Sequence, residues 1–379
     1  MKVLHVIPSV SQRSGGPGVA ILPMCRALQE RGIEVLLVTT DDGMRGVESS
    51  RVSDYDGVPT IFFSSQLGAS FKYSRPMSVW LNTNVSQFDV GHVHAVFNHA
   101  SVAATRAFRR ARVPYIIRPL GTLDPWSMKQ KPWRKRLFWS LAGETMLSKA
   151  AAVHYTSQTE QAATESLLGV NHGQVIPLGI NAVPSSTNGS RANDPYVLVL
   201  SRLHFKKGID VLIDAFATLS QRPGFDRWRL VIAGDGPAGH VELLKRRAEA
   251  AREKIVFAGW LDGEQKEAML RNASLLALPS YQENFGLCVM EALARAVPVL
   301  VSPHVNLAHE IETAGAGWIA PVETDALAAA LADALHDPDE LATRGRAGKL
   351  LSQSYSWERV ATDLSELYTE IKNGHARIH

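Results

Sequence analysis

The chain has 379 residues, 45% of them hydrophobic and 20% charged, close to ordinary globular usage, which excludes wholesale disorder and collagen-like repetition. The net charge of +3 is uneven: residues 1–185 carry 19 Lys+Arg against 12 Asp+Glu, and the rest carries 21 against 25. A basic front half is expected to meet something anionic, such as a phosphate or a lipid headgroup, while the lack of any nucleic-acid motif argues against a nucleic-acid partner. Two cysteines, Cys25 and Cys288, cannot build a disulfide framework, and both lie in apolar helical patterns, as expected in a reducing compartment. The opening MKVLHVIPSV is too short an apolar run for a signal peptide, and no run approaches the roughly 18 apolar residues of a membrane span. The expected location is cytoplasmic, with the inner face of a membrane left open.

Taken in chain order, short apolar runs alternate with helical patterns. Val3–Ile7 reads as a buried strand, Val19–Arg31 as a helix stopped by Gly32, and Ile33–Thr39 and Val90–His94 as further strands. The helix Ala100–Arg112 and the strand Tyr115–Ile117 follow. Pro184–Pro195 (PSSTNGSRANDP) reads as a linker. A second series then begins: strand Tyr196–Ser201, helix Ile209–Leu219, strand Leu230–Ala233, helix Val241–Arg252 and strand Ile255–Ala258. Asp262 with Gly263 opens another helix, before strand Leu275–Leu278, helix Leu287–Ala296 and strand Val297–Val301. Ser356–Lys372 is amphipathic. The alternation predicts α/β architecture: two doubly wound parallel-sheet domains, 1–185 and 186–355, facing across a cleft, with 356–379 packing back toward the first.

Three segments carry candidate chemistry. Ser14-Gly15-Gly16-Pro17-Gly18 lies between the first strand and the first helix, where glycines let backbone amides approach an anion. Gly16-Pro17-Gly18 with Asp41 half-spells a dinucleotide fingerprint, but position 21 is Ile where Gly or Ala belongs; a simple tight turn is the plain alternative. In Ser201-Arg202-Leu203-His204-Phe205-Lys206-Lys207-Gly208 the cations sit at a strand's carboxyl end, suited to a diphosphate or merely solvated. In Ser280-Tyr281-Gln282-Glu283-Asn284-Phe285-Gly286-Leu287, Glu283 precedes a helix that carries Glu291 one turn in, although acids at a helix start are also a capping preference.

The Glu283-x₇-Glu291 spacing in ENFGLCVMEAL, SRLHFKKGID, VIAGDGP (231–237) and AGWL (258–261) resemble glycosyltransferase family 4 in the family's own order. The resemblance implies a GT-B fold and a retaining enzyme that uses a nucleoside-diphosphate sugar as substrate and needs no cofactor. It places Arg202 and Lys207 on the donor diphosphate, Glu291 on ribose hydroxyls and Glu283 beside the donor sugar. It also places Asn284, Phe285, Gly286 and Leu287 at sugar and phosphate, Gly234, Trp260 and Leu261 around the nucleotide, and Gly15 and Gly16 in a loop closing over the phosphates. Of His92-Val93-His94, the second matches a histidine near the reacting carbon, and His92 reads as a core residue. Glu283, His94, Arg202 and Lys207 are thus the expected catalytic set. The base is expected to be uracil first, with guanine and adenine open.

No metal is expected. Asp54-Tyr55-Asp56 spells D-x-D but precedes Gly57-Val58-Pro59 in a predicted turn, so turn formation is the preferred reading. Arg118-Pro119-Leu120-Gly121-Thr122-Leu123-Asp124-Pro125-Trp126 falls at the acceptor side and looks like the polysaccharide-assembly branches of the family, so a saccharide or lipid-linked saccharide acceptor is expected. Trp126–Trp139 (WSMKQKPWRKRLFW), with five cations and no acid, suits an anionic membrane surface, or else packs its aromatics inward. The rival functions are a same-fold epimerase or phosphorylase and a non-catalytic nucleotide-sugar-binding module.

Overall fold

The structure, a computed structural model, describes residues 1–11, 15–66, 71–169, 172–181, 183 and 194–374. Ser14 of the glycine-rich loop and 184–193 of the proposed linker lie outside the described residues. The chain divides into two units, one of Met1–Gly179 with Trp357–His379 and one of Ile180–Ser356.

The strands of the first unit are β1 (Lys2–Val6), β2 (Glu34–Thr40), β3 (Val52–Tyr55), β4 (Val58–Phe63), β5 (Val90–His94), β6 (Tyr115–Arg118), β7 (Ala152–Tyr155) and β8 (Gly173–Val175). They lie in the order β3-β4-β2-β1-β5-β6-β7-β8, parallel except for the β3–β4 hairpin. Because side chains alternate across a strand, one face collects Leu4, Val6, Val93, Ile117 and Val153, packed with Phe108 and Leu147. The other collects Val3, Val90, Ile116 and Ala152 beneath helix Gly16–Glu30 and helix Trp357–Lys372. The terminal helix buries Val360, Ala361, Leu364, Leu367, Tyr368 and Ile371, a three-to-four-residue spacing that makes one stripe.

The second unit holds β9 (Tyr196–Leu200), β10 (Arg229–Ala233), β11 (Ile255–Gly259), β12 (Leu275–Leu278), β13 (Val299–Val301) and β14 (Gly317–Ile319). Their order is β11-β10-β9-β12-β13-β14 and every pair is parallel. Chain order therefore runs outward one way from β9 and the other way from β12. The first sheet reverses likewise between β1 and β5. At such a reversal the connecting helices lie on opposite faces, and the carboxyl ends of the strands there are where open α/β sheets bind ligands.

The strands Val90–His94 and Leu275–Leu278 and the helix Ile209–Leu219 stand as the sequence predicts. The first helix starts earlier, at Gly16, because Pro17 fits a first turn, where its missing N–H costs nothing. Helix Ala238–Ala248 ends short of Arg252 and passes into a tighter turn, Glu249–Ala251. Strands β3, β4, β7, β8 and β14 were not foreseen.

Candidate active site

At the reversal of the second sheet, the loops after β9 and β12 are pressed together. Gly208 has φ +62°, and a Cβ there would meet the Pro279 carbonyl oxygen at 2.2 Å, so only glycine allows this approach. Tyr281 N–H donates to the Lys206 carbonyl at 2.8 Å. This contact carries Lys207, 7% exposed, onto Glu283, whose Oε2 accepts from the lysine Nζ. Burial alone would push the Glu283 carboxyl up, but the charges of Lys207, Lys206 and Arg202 outweigh it and hold the group below the ordinary glutamate value. The Glu283 backbone is pinned on both sides: its N–H donates to His304 O and its carbonyl accepts from Asn306 N–H, each at 3.0 Å. Arg202 stays exposed, and Lys206 Nζ donates to Gln282 Oε1 at 3.2 Å.

Helix Leu287–Ala294 begins here with Gly286 as its N-cap and no side-chain cap, whereas helices His99–Ala111 and Gln158–Leu168 are capped by Asn98 and Ser157. The Leu287 and Cys288 amides of that first turn thus remain available to an anion, while Val289 N–H donates to Gly286 O. Phe285 is buried against Tyr355 at 5.9 Å between centroids, and Asn284 Oδ1 accepts from Asn306 at 3.4 Å. Glu291, on the same helix, accepts from Lys266 Nζ at 2.7 Å. At the neighbouring strand ends, Gly234 has φ +142° and a Cβ would stand 1.8 Å from Ser201 O, while Trp260 is 40% exposed beside Leu261. The structure therefore brings together Arg202, Lys207, Glu283 and Asn284–Leu287 from two loops, with Glu291 one turn beyond. Lys266 was missed, since nothing in its helix signals a partner 25 residues away.

At the reversal of the first sheet, Gly15 is the uncapped N-cap of helix Gly16–Glu30, with φ 98°. His94 ends β5 and Arg118 ends β6 directly beside it in register. Both are buried, at 1% and 2% exposure, on the face that also carries His5, His92 and His154. His94 Nε2 lies 3.1 Å from His5 Nδ1, His92 Nε2 lies 3.2 Å from His154 Nδ1, and Tyr368 Oη lies 2.7 Å from His92 Nδ1. Burial first lowers all four imidazoles, Arg118 acts on each of them, and repulsion from neighbouring rings adds to it at His92, His94 and His154, with His5 brought to about 3. All four are neutral at pH 7. Burial also lowers Arg118, to about 10, against the pull of Glu160. Its Nη1 reaches Met24 Sδ at 3.6 Å, and its Nε and Nη2 are buried without a partner among the described residues. Sequence reasoning missed His5, His154 and Tyr368; the available signal was a histidine at alternate positions of otherwise apolar strands.

The D-x-D residues serve the β3–β4 turn: Asp54 Oδ1 accepts from Gly57 N–H at 3.1 Å and Asp56 pairs with Arg26 at 2.5 Å. The basic segment divides its aromatics. Phe138 packs on Phe97 at 5.2 Å and Trp139 lies on the core, while Trp133, Leu137 and Leu141 are 65%, 54% and 69% exposed, four residues apart on one stripe. Among the described residues no helix is long and apolar enough to cross a membrane.

Two Rossmann-like sheets with these loops at their reversals define the GT-B class of sugar-transferring folds. The family description "Glycosyl transferase 4-like domain" matches residues 15–179 and "Glycosyl transferases group 1" matches 185–350, and the chain belongs to this glycosyl transferase family. It is 31% identical over 205 residues to a glycogen synthase of Mycobacterium tuberculosis, covering 53% of this chain and 49% of that one. It is 33% identical over 179 residues to the D-inositol 3-phosphate glycosyltransferase of Corynebacterium efficiens, covering 46% and 42%. The chain spans about half the length of the curated relatives it matches. Among solved structures, it is similar to sucrose-phosphate synthase of Thermosynechococcus elongatus, with a TM-score of 0.79, 19% identity and 98% and 99% of the two chains covered. It is similar also to Anabaena Alr3699/HepE in complex with UDP and glucose, with a TM-score of 0.76, 21% identity and 98% and 100% covered.

Proposed function

We propose that this chain moves a glycosyl group from a nucleoside-diphosphate sugar to a hydroxyl of a saccharide or lipid-linked saccharide, with retention at the anomeric carbon and without a metal at the leaving group. The observation that carries the reading is the meeting of Lys207, Glu283 and the uncapped start of helix Leu287–Ala294 at the reversal of the second sheet. In the transfer, the bond from the anomeric carbon to the β-phosphate oxygen breaks and one to the acceptor oxygen forms. The acceptor proton leaves with the departing diphosphate or to water.

The chemical need is to stabilise negative charge on the leaving diphosphate. Arg202 offers a fork of donors, Lys207 a point charge, and the helix start its free amides, which together supply the neutralisation a divalent cation would otherwise give. Glu283, held ionised by the lysines, faces the sugar as it gains positive character, and Glu291 takes ribose hydroxyls. Trp260, Leu261 and Gly234 line the nucleotide side. Family membership supports retention, and the UDP-glucose bound by Alr3699/HepE supports uracil as the base to test first. By the family resemblance Gly15 and Gly16 are assigned to the phosphates, and His94 and Arg118 to the sugar and acceptor side.

The exposed stripe Trp133, Leu137 and Leu141, set among Lys129, Lys131, Arg134 and Arg136, suits an anionic bilayer, which would also present a lipid-linked acceptor. The test is nucleotide release from UDP-, GDP- and ADP-sugars, with and without EDTA and lipid-extract acceptors. Release from one donor that EDTA does not alter is expected. Binding without release under every acceptor condition would instead favour a non-catalytic module, and donor conversion without any acceptor an epimerase.

A further inference from the structure

The hydrogen bonds across the first sheet form one series with a defined direction. Its far end is the Ile176 carbonyl, which lies 2.7 Å from His154 Nε2 and can only accept. His154 therefore carries its proton on Nε2, and as a neutral ring it offers Nδ1 as an acceptor. His92 Nε2, 3.2 Å away, must be the donor to it, which leaves His92 Nδ1 bare. Tyr368 fills that position by donating its hydroxyl proton across 2.7 Å. With its single proton committed, the Tyr368 oxygen can only accept, so the nitrogen that faces it at 3.5 Å, His5 Nε2, is the protonated one. The opposite tautomer would set lone pair against lone pair among buried groups. His5 Nδ1 is then the acceptor at 3.1 Å from His94 Nε2, which donates.

We infer that this chain of contacts, running from Ile176 through His154, His92, Tyr368 and His5, holds His94 in the Nε2–H tautomer with Nδ1 as a bare acceptor, and that Tyr368 and His154 are positioning residues for His94. The inference rests on the reading above that His94 faces the reacting sugar. Such a fixed tautomer can accept a hydrogen bond from a sugar hydroxyl but cannot donate at Nδ1, so it orients one hydroxyl and rejects the reverse geometry. The chain does not relay a proton onward, because a carbonyl closes its far end. The C-terminal helix thereby acts on the site through a single hydroxyl: Tyr368 is fully buried on that helix, and its ionisation is driven well up, so it stays a donor.

The same imidazoles have the spacing of a metal site, since ligand atoms of His5, His92 and His94 lie within 4.8 Å of one another. Two features oppose a cation there. The rings already use one another's lone pairs, and the Arg118 guanidinium lies close enough to depress every one of them.

The experiment is ¹⁵N imidazole NMR of the full chain, which reads each ring's tautomer without any substrate. The wild type should show Nε2–H for His5, His92, His94 and His154. In Tyr368→Phe the anchored pair His154 and His92 should be unchanged, while His5 and His94 become mixtures, with kcat about tenfold lower and the donor KM within twofold. His94 as Nδ1–H in the wild type overturns the inference, whether or not the variant folds. So does a Tyr368→Phe spectrum in which His5 and His94 do not change, or an equimolar Zn²⁺ addition that moves all three candidate ligands. If the tautomers and the Tyr368→Phe effect are as stated, yet His94→Ala keeps full turnover, the fault lies with the sugar-side reading of His94 and not with the chain.

Discussion

At the reversal of the second sheet an ammonium and a carboxylate meet, with more cations around them; at the first sheet four neutral imidazoles and a tyrosine hydroxyl share protons in the buried interior. The topology is the same and the electrostatics are opposite in kind. Charge gathered at strand-end loops suits a ligand that brings two phosphates. Neutral rings fixed within a sheet suit a task of orientation, where a net charge would be costly to bury. On the proposed function, the shared architecture sets where a ligand would meet each sheet, and the side chains differ in what they offer it.

Acid should separate the two regions most strongly. The buried imidazoles are all lowered, so the unfolded chain takes up protons below about 6.5 while the folded chain does not, down to about 3 for His5. Stability is therefore present above 6.5 and is lost as pH falls through the window beneath it. Each ring contributes about 1 kcal/mol over the first full unit, so the four together cost on the order of 4 kcal/mol there. Hydrogen exchange at pH 7.5 and 5.5 should show peptides of the first unit losing protection well before those of the second; equal loss in both would erase the distinction.

Next in size is Lys207→Ala, expected to lower turnover by about 10²–10³-fold, the usual cost of removing one donor to a developing anion. Since the variant also leaves Glu283 buried and unpaired, Glu283→Gln in the same background should recover folding stability in a thermal melt without recovering turnover. Gly234→Ala should then cost about 3 kcal/mol of stability in urea unfolding, because its Cβ would collide with Ser201 O in a backbone conformation that side chains rarely adopt. The smallest effect should come from Trp133→Ala. It should stay within about 0.5 kcal/mol of wild-type stability yet bind phosphatidylglycerol vesicles several-fold less well, with phosphatidylcholine vesicles bound by neither protein.

The alternation of strands and helices was legible because strands of parallel sheets are covered on both faces and appear as unbroken apolar runs, as in Val90–His94 and Leu275–Leu278. What escaped was short or interrupted. Strand β14 has three residues, β4 contains Pro59, and β7 spends one of its four positions on His154. The loops at the second reversal were legible as cations and acids at strand ends, but the Lys207–Glu283 pair spans 76 residues, and no local pattern encodes a contact at that range. The histidine series was the least legible part. His92 and His94 were read as one core residue and one functional residue, whereas the structure makes them links in the same series, closed by a tyrosine 276 residues further along the chain.

The most direct test of the central claim, that the reversal of the second sheet is a nucleoside-diphosphate site, is calorimetric titration of UDP, GDP and ADP into the wild type, Arg202→Ala and Lys207→Ala, each with EDTA present. The account predicts that one nucleotide binds the wild type without added metal and that each substitution weakens it by at least about tenfold, near 1.4 kcal/mol. Undiminished binding in both variants, or binding only when a divalent cation is supplied, would contradict it.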